Sequence, residues 1–294
     1  MGDKSGIEWT EATWNPIAGC SLVSPGCLNC YAMRQAARIL RMHPEKPNPK
    51  YVGTVKMVNG NAVWTGQVNV GDDEVFLQPL RWKTPKMIFV NSMSDLFHEG
   101  VSDRTIDRVL AVCALSQRHT MQILTKRSER LVEYFHEERG YHVRMAADAI
   151  GGRDAAEPWV WPLPNVWLGV SVENQATAAE RIPHLLRTPA AVRWLSCEPL
   201  LSRVDFMTPI IDCREIVAGT RFDTLIHWVV VGGESGEGAR PMAIEWAADL
   251  ALQCQSTHIP FFMKQLGGVR DKRGELESFP PALRVRQYPK AVRA

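Results

Sequence analysis

Three cysteines near the start of the chain are the residues best suited to chemistry. Cys20, Cys27 and Cys30 have the spacing C-x6-C-x2-C, and the segment 24–26 (Ser-Pro-Gly) between the first two predicts a turn. Three thiolates on one short loop favour a metal or iron–sulfur site over chance packing. Such a set also leaves one coordination position free, so a fourth iron in a cubane could bind a substrate or cofactor directly.

Zinc is the alternative metal for this loop. A structural zinc site is closed by four ligands. The next candidate ligand, His43, follows Cys30 by thirteen residues and lies beyond a predicted helix over 31–40. The ligand count therefore favours an iron–sulfur cluster over zinc, and a set of purely structural thiols is the third interpretation.

Composition is typical of a globular protein without strong global charge. The chain has 294 residues, 45% of them hydrophobic and 22% charged, with a net charge of +2, so no global field indicates nucleic acid or a membrane. No apolar run has membrane-spanning length, and the first residues lack a signal-peptide core. Seven cysteines without an export signal favour reduced thiols and a cytoplasmic location.

Short apolar runs, each followed by polar residues, recur along the chain. They are rich in β-branched and aromatic residues and too short for core helices, so they predict strands. Their near-continuous apolarity is typical of a parallel sheet that is buried on both faces. The runs lie at 87–95, 121–127, 166–174, 192–199, 228–235 and 260–267.

Helical patterns alternate with these strands, at 103–115, 128–136, 174–186 and 244–254. Such alternation indicates an α/β fold, either a partial or full (β/α) TIM-like barrel or a doubly wound sheet. Polar residues at the carboxyl end of every strand favour the barrel, whose active face is formed by those ends.

We expect one domain over residues 1–294, decorated by two insertions and a tail. The insertion near 44–75 contains Asn59-Gly60, a hairpin signal. A second insertion spans 137–165, and a basic tail from about residue 271 is expected to be peripheral.

Motifs over nearly the whole chain resemble those of the phage-associated three-cysteine-motif family, catalogued as a domain of unknown function. That family is in turn similar to a distant branch of the radical S-adenosylmethionine (SAM) enzymes. The motifs are the cysteine loop with the segments 9–16, 91–95, 124–127, 167–174, 195–200 and 231–235.

The resemblance implies a partial (β/α)6 barrel of the radical SAM type and a [4Fe–4S] cluster on the loop after the first strand. Cys20, Cys27 and Cys30 would hold the cluster, and its open iron would chelate the amino and carboxylate groups of SAM. One electron, from a donor such as flavodoxin or ferredoxin, would cleave SAM to methionine and a 5′-deoxyadenosyl radical. That radical would abstract a hydrogen atom from the substrate.

Two features depart from the common radical SAM pattern. The first cysteine gap is six residues rather than three, and the aromatic residue, Tyr31, follows the last cysteine instead of preceding it. The Gly-Gly-Glu segment ending at Glu234 lies at a late strand rather than an early one. These departures bear on which residues contact SAM more than on the cluster itself.

The strand ends supply the remaining candidates, each of which could instead serve as a turn, a cap or core. Cys197 is a candidate hydrogen-atom donor or a small buried hydrophobe, and Glu198 a candidate acid or ribose ligand. The candidates for cofactor binding are Asn91, Ser92, Asp95, Lys126, Ser171, Glu173 and Glu234, and those for substrate binding are Trp14, Arg127, Arg240 and Lys264.

The phage association of the similar family suggests a nucleic-acid or nucleoside substrate. The reaction would be that of a repair lyase or a base modification. A rival function is a non-catalytic iron–sulfur or zinc protein that binds nucleic acid or a partner. A third is a metal-free barrel enzyme that uses Glu198 and Lys264 as acid and base.

Overall fold

A computed structural model of the protein describes residues 5–136, 138–151, 160–213 and 219–290. Within these residues lie eleven strands. They are β1 (Ala12–Trp14), β2 (Ile17–Ala18), β3 (Val55–Val58), β4 (Asn61–Trp64), β5 (Asn69–Val70), β6 (Met87–Val90), β7 (Thr120–Thr125), β8 (Val166–Ser171), β9 (Val192–Cys197), β10 (Trp228–Gly232) and β11 (Phe261–Gln265).

The same residues contain nine α-helices. They are α1 (Tyr31–Met42), α2 (Asp73–Phe76), α3 (Gln78–Arg81), α4 (Asp103–Leu115), α5 (Ser128–Tyr134), α6 (Arg139–Gly151), α7 (Gln175–Arg187), α8 (Met207–Ile211) and α9 (Ile244–Thr257). In the described ranges, no helix is both long and apolar enough to cross a membrane.

Seven strands form one parallel sheet in the order β1-β6-β7-β8-β9-β10-β11. Neighbours in the sheet therefore follow chain order. A doubly wound sheet reverses its order at a switch point, so the sheet instead has the strand order of a partial (β/α) barrel. The predicted mixed α/β class and all six predicted strands are confirmed.

Local sequence explains where the helices begin. Ser102 caps α4 by accepting a hydrogen bond from the amide of Thr105. Asn174 and Thr177 form a reciprocal capping box at the start of α7. Asn174 therefore serves as the N-cap of α7.

Contacts divide the chain into two compact units. The first comprises the described residues of 1–23 and 30–167, and the second those of 24–29 and 168–294. The cysteine loop contributes residues to both units: Cys20 and Cys30 belong to the first unit, and Cys27 belongs to the second.

The first unit contains the predicted hairpin. β3 and β4 pair antiparallel, and the turn residues Asn59 and Gly60 both have positive φ, as a tight hairpin turn requires. Helix α1 packs against this hairpin through a small core that includes Met33, Ala36 and Trp64. The predicted hairpin is confirmed.

The second predicted insertion, 137–165, contains α6, while residues 137 and 152–159 lie outside the described residues. Its remaining described part leads into β8.

In the second unit the basic tail is built into the sheet rather than peripheral. Arg286 forms an antiparallel bridge with Phe262 of the edge strand β11. The Gln287 amide donates to the Phe261 carbonyl, and the Phe261 amide donates to the side-chain Oε1 of Gln287. The ring of Tyr288 stacks on Trp228 with a centroid distance of 5.4 Å. The tail therefore covers an open sheet edge, and the expectation of a peripheral tail was wrong.

The Arg286 guanidinium donates to three backbone carbonyls, those of Met263, Lys264 and Gly274. Arg284 likewise donates to the carbonyls of Glu277 and Phe279. These arginines hold the tail in place, which gives its basic composition a structural reason.

The packing around Gly169 of β8, in the second unit, can be tested by substitution. A Cβ at this position would lie 2.4 Å from the indole of Trp194, a fully buried side chain. We expect Gly169→Ala to lower the free energy of unfolding by about 1–3 kcal/mol, because overpacking forces neighbours to shift. Urea unfolding measures the change.

The matched control is Gly6→Ala, since nothing lies within 4 Å of a Cβ there. Its free energy of unfolding should stay within about 0.5 kcal/mol of the parent. Equal stability of the two variants would contradict the packing described for β8 and β9.

Candidate functional site

In the first unit, Cys20 lies against a charged network centred on Arg127. The Arg127 Nη1 atom is 3.6 Å from the Cys20 sulfur and 3.1 Å from Oδ2 of Asp95. The side chains of Arg127 and Asp95 are each only 8% exposed. Arg127, predicted to contact substrate, is therefore engaged as an ion-pair partner and as a donor to a cysteine sulfur.

Both carboxylate oxygens of Asp95 accept hydrogen bonds. Its Oδ1 accepts from Thr125 Oγ1 at 2.7 Å and from the Phe97 amide at 3.0 Å. Its Oδ2 accepts from the Lys126 amide at 3.1 Å in addition to Arg127. The predicted cofactor ligand Asp95 thus ties the end of β6 to the end of β7.

Sequence reasoning missed Ser21, His98 and Glu99, which complete this network. Arg127 donates to Glu99 at 3.0 Å and to the Ser21 hydroxyl at 2.7 Å, and His98 Nε2 lies 3.0 Å from the same hydroxyl. His98 Nδ1 accepts from the Gly100 amide, so the ring proton belongs on Nε2. His98 therefore donates to Ser21 and is not placed to act as its base.

The pKa values in this network follow from burial and from the Arg127 charge. Burial raises the pKa of the Cys20 thiol to about 12; Asp95 adds to the rise and Arg127 opposes it. Burial favours the neutral form of the Glu99 carboxyl, but hydrogen bonds and the Arg127 charge outweigh it and lower its pKa to about 2. Burial lowers the pKa of His98, which favours the neutral ring.

Asn91, at the carboxyl end of β6, combines two unusual features. Its φ is +62°, in the left-handed region that asparagine tolerates. Its side chain is buried, and both amide atoms, Nδ2 and Oδ1, are without a hydrogen-bond partner in the described part of the chain. A buried amide without partners is costly, so this side chain is suited to receive a ligand.

Two further candidates of the first unit have partners within the protein. Ser92 donates from its hydroxyl to Asn15 and accepts at its carbonyl from the Tyr31 hydroxyl. Trp14 is fully buried, donates its indole N–H to the Val75 carbonyl and packs edge-on against Phe76. The structure thus gives Trp14 a core position, and its stacking on a substrate base stays a prediction.

In the second unit, the segment Ser24–Asn29 of the cysteine loop is held at its start by Glu173. The Ser24 hydroxyl donates to Glu173 Oε1 at 2.9 Å, and the other carboxylate oxygen pairs with Arg181 at 3.1 Å. Glu173 is fully buried. A Cβ at Gly26 would lie 2.6 Å from the Glu173 side chain, so only glycine fits this approach.

Glu234 holds the same segment at its end. Its Oε2 accepts from Asn29 Nδ2 at 3.0 Å and from the amide and Nε of Arg240 at 2.9 and 2.8 Å. Its Oε1 accepts from Arg240 Nη2, which also donates to the Pro25 carbonyl. Glu234 and Arg240, predicted to bind cofactor and substrate, therefore bind each other and the cysteine loop.

Glu198 and Lys264 form a further ion pair at the strand ends, with 2.8 Å between Oε1 and Nζ. A Cβ at Gly232 would lie 2.6 Å from the same Glu198 oxygen. The predicted catalytic and substrate residues Glu198 and Lys264 are thus brought together. The absence of a side chain at Gly232 makes room for the Glu198 carboxylate.

Cys197 does not share a face with Glu198, because successive side chains of a strand point to opposite sides. It is fully buried. Burial raises the pKa of the Cys197 thiol. This setting favours the packing role over hydrogen-atom donation, which stays a prediction. Ser171 is also buried, and its carbonyl accepts from Arg181.

The cysteine loop matches an iron–sulfur centre in its donor chemistry. All seven cysteines are free thiols, and thiolates are the ligands that such clusters use. Over the described residues, no group of three or more His, Cys, Asp or Glu side chains is already gathered around a metal position. A cluster would therefore depend on the loop bringing its thiols together.

The fold and strand ends define an α/β protein with a parallel sheet in barrel order and polar, ion-paired strand ends. The chain belongs to the family described as "Protein of unknown function (DUF5131)", whose model matches residues 4–290. No curated protein and no solved structure matches the chain.

Glu234→Gln tests the hold on the cysteine loop. Burial favours the protonated carboxyl, but hydrogen bonds from Arg240 and Asn29 outweigh it and keep the pKa of Glu234 below its usual 4.5. The carboxylate therefore stabilises the fold above pH 4.5, and this stabilisation is lost as the pH falls through the lowered pKa. We expect the variant to unfold about 2 kcal/mol more easily at pH 7.

The difference in unfolding free energy should shrink as the pH falls below 4.5, because a protonated carboxyl resembles the amide. Denaturant unfolding at several pH values measures it. Glu237→Gln, the same change at an exposed position, is the control. A difference that is independent of pH, or equal in the control, would contradict the role given to Glu234.

Proposed function

We propose that this protein is a radical SAM-type enzyme that acts on a nucleic acid or nucleoside. Cys20, Cys27 and Cys30 would hold a [4Fe–4S] cluster, with SAM bound at its open iron. The observation that carries the proposal is one loop with three free thiols, placed between the first and second strands of a parallel sheet in barrel order. When bound, the cluster and SAM supply a carbon radical that removes hydrogen from a substrate.

The residues of the chain have separate tasks in this function. Glu173 and Glu234 fix the Ser24–Asn29 segment that carries Cys27. Arg127 donates to the sulfur of Cys20, and its charge would offset that of a metal-bound Cys20 thiolate. Hydrogen bonds to ligand sulfurs tune such centres, so Arg127 is a positioning residue.

Asn91 is the best candidate for direct contact with the cofactor. Its buried amide offers a donor and an acceptor side by side, both without a partner in the described residues. A ligand edge with a matching acceptor and donor, such as that of adenine, would satisfy both. Four further residues remain candidate cofactor contacts: Ser92, Asp95, Lys126 and Ser171.

Glu198 and Lys264 are the candidates for proton handling and for substrate contact. Their ion pair is only 13% and 19% exposed on its two sides. A substrate hydroxyl or phosphate could replace one member of the pair. An electron donor such as flavodoxin or ferredoxin is implied as a partner.

The rival function, a non-catalytic iron–sulfur or zinc protein, is favoured by one observation. Asp95, Glu173 and Glu234 are all committed to partners inside the protein. Such closed networks suit a structural metal centre as well as a catalytic one. The metal content and SAM turnover separate the two functions.

The function is tested with protein that is reconstituted anaerobically with iron and sulfide. We expect about four iron atoms per chain, and release of 5′-deoxyadenosine from SAM on reduction with dithionite. Replacing Cys20, Cys27 or Cys30 by alanine should abolish both. Cys213→Ala, a buried thiol outside the loop, should retain both.

Two kinds of result would overturn the proposal. The first is that the protein holds zinc instead of iron, or that it forms a cluster but releases no 5′-deoxyadenosine from SAM. The other is full 5′-deoxyadenosine release by the cysteine-loop variants. The first result would favour the non-catalytic function, and the second would favour a reaction that does not use the loop.

Arg127→Gln tests the positioning role. The N–H group directed at the Cys20 sulfur stabilises the more negative, reduced cluster. Its loss should therefore lower the midpoint potential of the reconstituted protein, as measured by a redox titration followed by EPR. Arg130→Gln, which removes an arginine paired with Asp103, is the control. An unchanged potential in Arg127→Gln at full iron content would contradict the role.

A further inference from the structure

Positive charge is concentrated on one part of the first unit that the proposed site does not use. Residues 31–71 carry six Lys or Arg side chains and a single acidic one, Glu45. The net charge of +5 in this segment exceeds the +2 of the whole chain, so the remainder is net negative. Segregated charge of this kind indicates a polyanionic partner.

Helix α1 presents its arginines on one face. Arg34, Arg38 and Arg41 follow one another at intervals of four and three residues, which aligns them along the helix. Arg38 and Arg41 are exposed and Arg34 is half-buried. A rise of about 1.5 Å per residue spreads the three over roughly 10 Å.

The opposite face of α1 is fixed to the protein. Ala32, Met33, Ala36 and Ala37 are buried, and they pack with Trp64 of the β3–β4 hairpin. Helix α1 contains no acidic residue, so all of its charged side chains are basic.

Lys50 does not belong to this surface. It is buried, and its Nζ donates to the Asn15 carbonyl at 2.7 Å. Lys46 is exposed but lies in the connecting segment beside Glu45, the one acidic residue. We therefore define the α1 arginine row by Arg34, Arg38 and Arg41.

We propose that the α1 arginine row binds duplex DNA through its phosphodiester backbone. A row of arginines on a helix matches a phosphate backbone, and the DNA major groove, about 12 Å wide, admits an α-helix. The deep, narrow major groove of RNA duplexes does not. The assignment deepens the proposed function, which takes nucleic acid as a substrate, by naming the surface and the form of nucleic acid.

Two other polyanions fit this surface less well. An interfacial membrane helix inserts its apolar face into lipid, whereas the apolar face of α1 is already buried against the hairpin. Single-stranded nucleic acid requires aromatic stacking platforms. On the described α1 and hairpin, Trp64 is buried, and Tyr31 alone offers an exposed aromatic ring, whereas successive bases of a single strand need a series of such rings.

The test measures fluorescence anisotropy of a labelled 20-base-pair DNA duplex between 50 and 300 mM NaCl, without SAM or reductant. Three phosphate contacts predict a slope of log affinity against log salt of roughly −2.7, since each contact contributes about −0.9. Arg38→Gln/Arg41→Gln should bind at least about tenfold more weakly at 50 mM salt. Its slope should fall to roughly −0.9.

Lys83→Gln/Arg144→Gln is the matched control, because it removes the same charge from exposed positions elsewhere in the first unit. It should keep the affinity and slope of the parent. Circular dichroism should be the same for all three proteins, since the replaced side chains are exposed.

Several results would overturn the proposal: no binding of duplex DNA at 50 mM salt, an equal loss in the control, or tighter binding of single-stranded DNA or duplex RNA. Binding of phosphatidylserine vesicles that depends on Arg38 and Arg41, without DNA binding, would assign the surface to membranes instead. Loss of DNA binding with intact 5′-deoxyadenosine release would overturn this surface alone. Intact binding without release would overturn the radical SAM function alone.

Discussion

The hold of two buried carboxylates on the Ser24–Asn29 segment is the interaction on which the candidate site depends. Glu173 accepts from Ser24 at the start of the segment, and Glu234 accepts from Asn29 at its end. A carboxylate only accepts hydrogen bonds, and leaving it unpaired in a buried position is expensive. Each therefore fixes its donors firmly, and the thiol of Cys27 is carried on a segment that is restrained at both ends.

This hold gives the long first cysteine gap a physical reason. The residues that lengthen the gap form a short 3-10 turn, Pro25–Cys27, and bring the Pro25 carbonyl to Arg240. Gly26 is needed because any side chain would meet Glu173. In the first unit, Arg127 has a comparable role beside Cys20: it pairs with the Asp95 carboxylate and donates a hydrogen bond to the Cys20 sulfur. Glu173, Glu234 and Arg127, each just after the end of a strand, thus hold parts of the cysteine loop together with Arg240.

Much of the fold could be predicted from the sequence, because its signals are local. The Asn59-Gly60 turn, the Ser102 cap and the Asn174 capping box each depend on residues a few positions apart. The site was harder, because its pairs are distant in sequence: Asn29 meets Glu234 across 205 residues, and Ser24 meets Glu173 across 149. Residue type alone marked Glu234 and Arg240 as ligands, and only the fold shows that they bind each other.

Other differences have equally specific causes. The strand alternation that separates Cys197 from Glu198 was readable in the sequence and would have favoured a packing role for the thiol. The tail gave no such signal, because its pairing with β11 uses backbone groups and its arginines bind carbonyls. The buried Asn91 amide could not be found without the structure, since its lack of partners is a property of the folded surroundings.

The most direct test of the central claim is the EPR spectrum of the anaerobically reconstituted, reduced protein, recorded with and without SAM. If Cys20, Cys27 and Cys30 hold a cluster with an open iron, the spectrum will show a reduced [4Fe–4S] centre whose signal changes when SAM is added. A protein that forms no such centre, or one whose signal is the same at saturating SAM, would contradict the account.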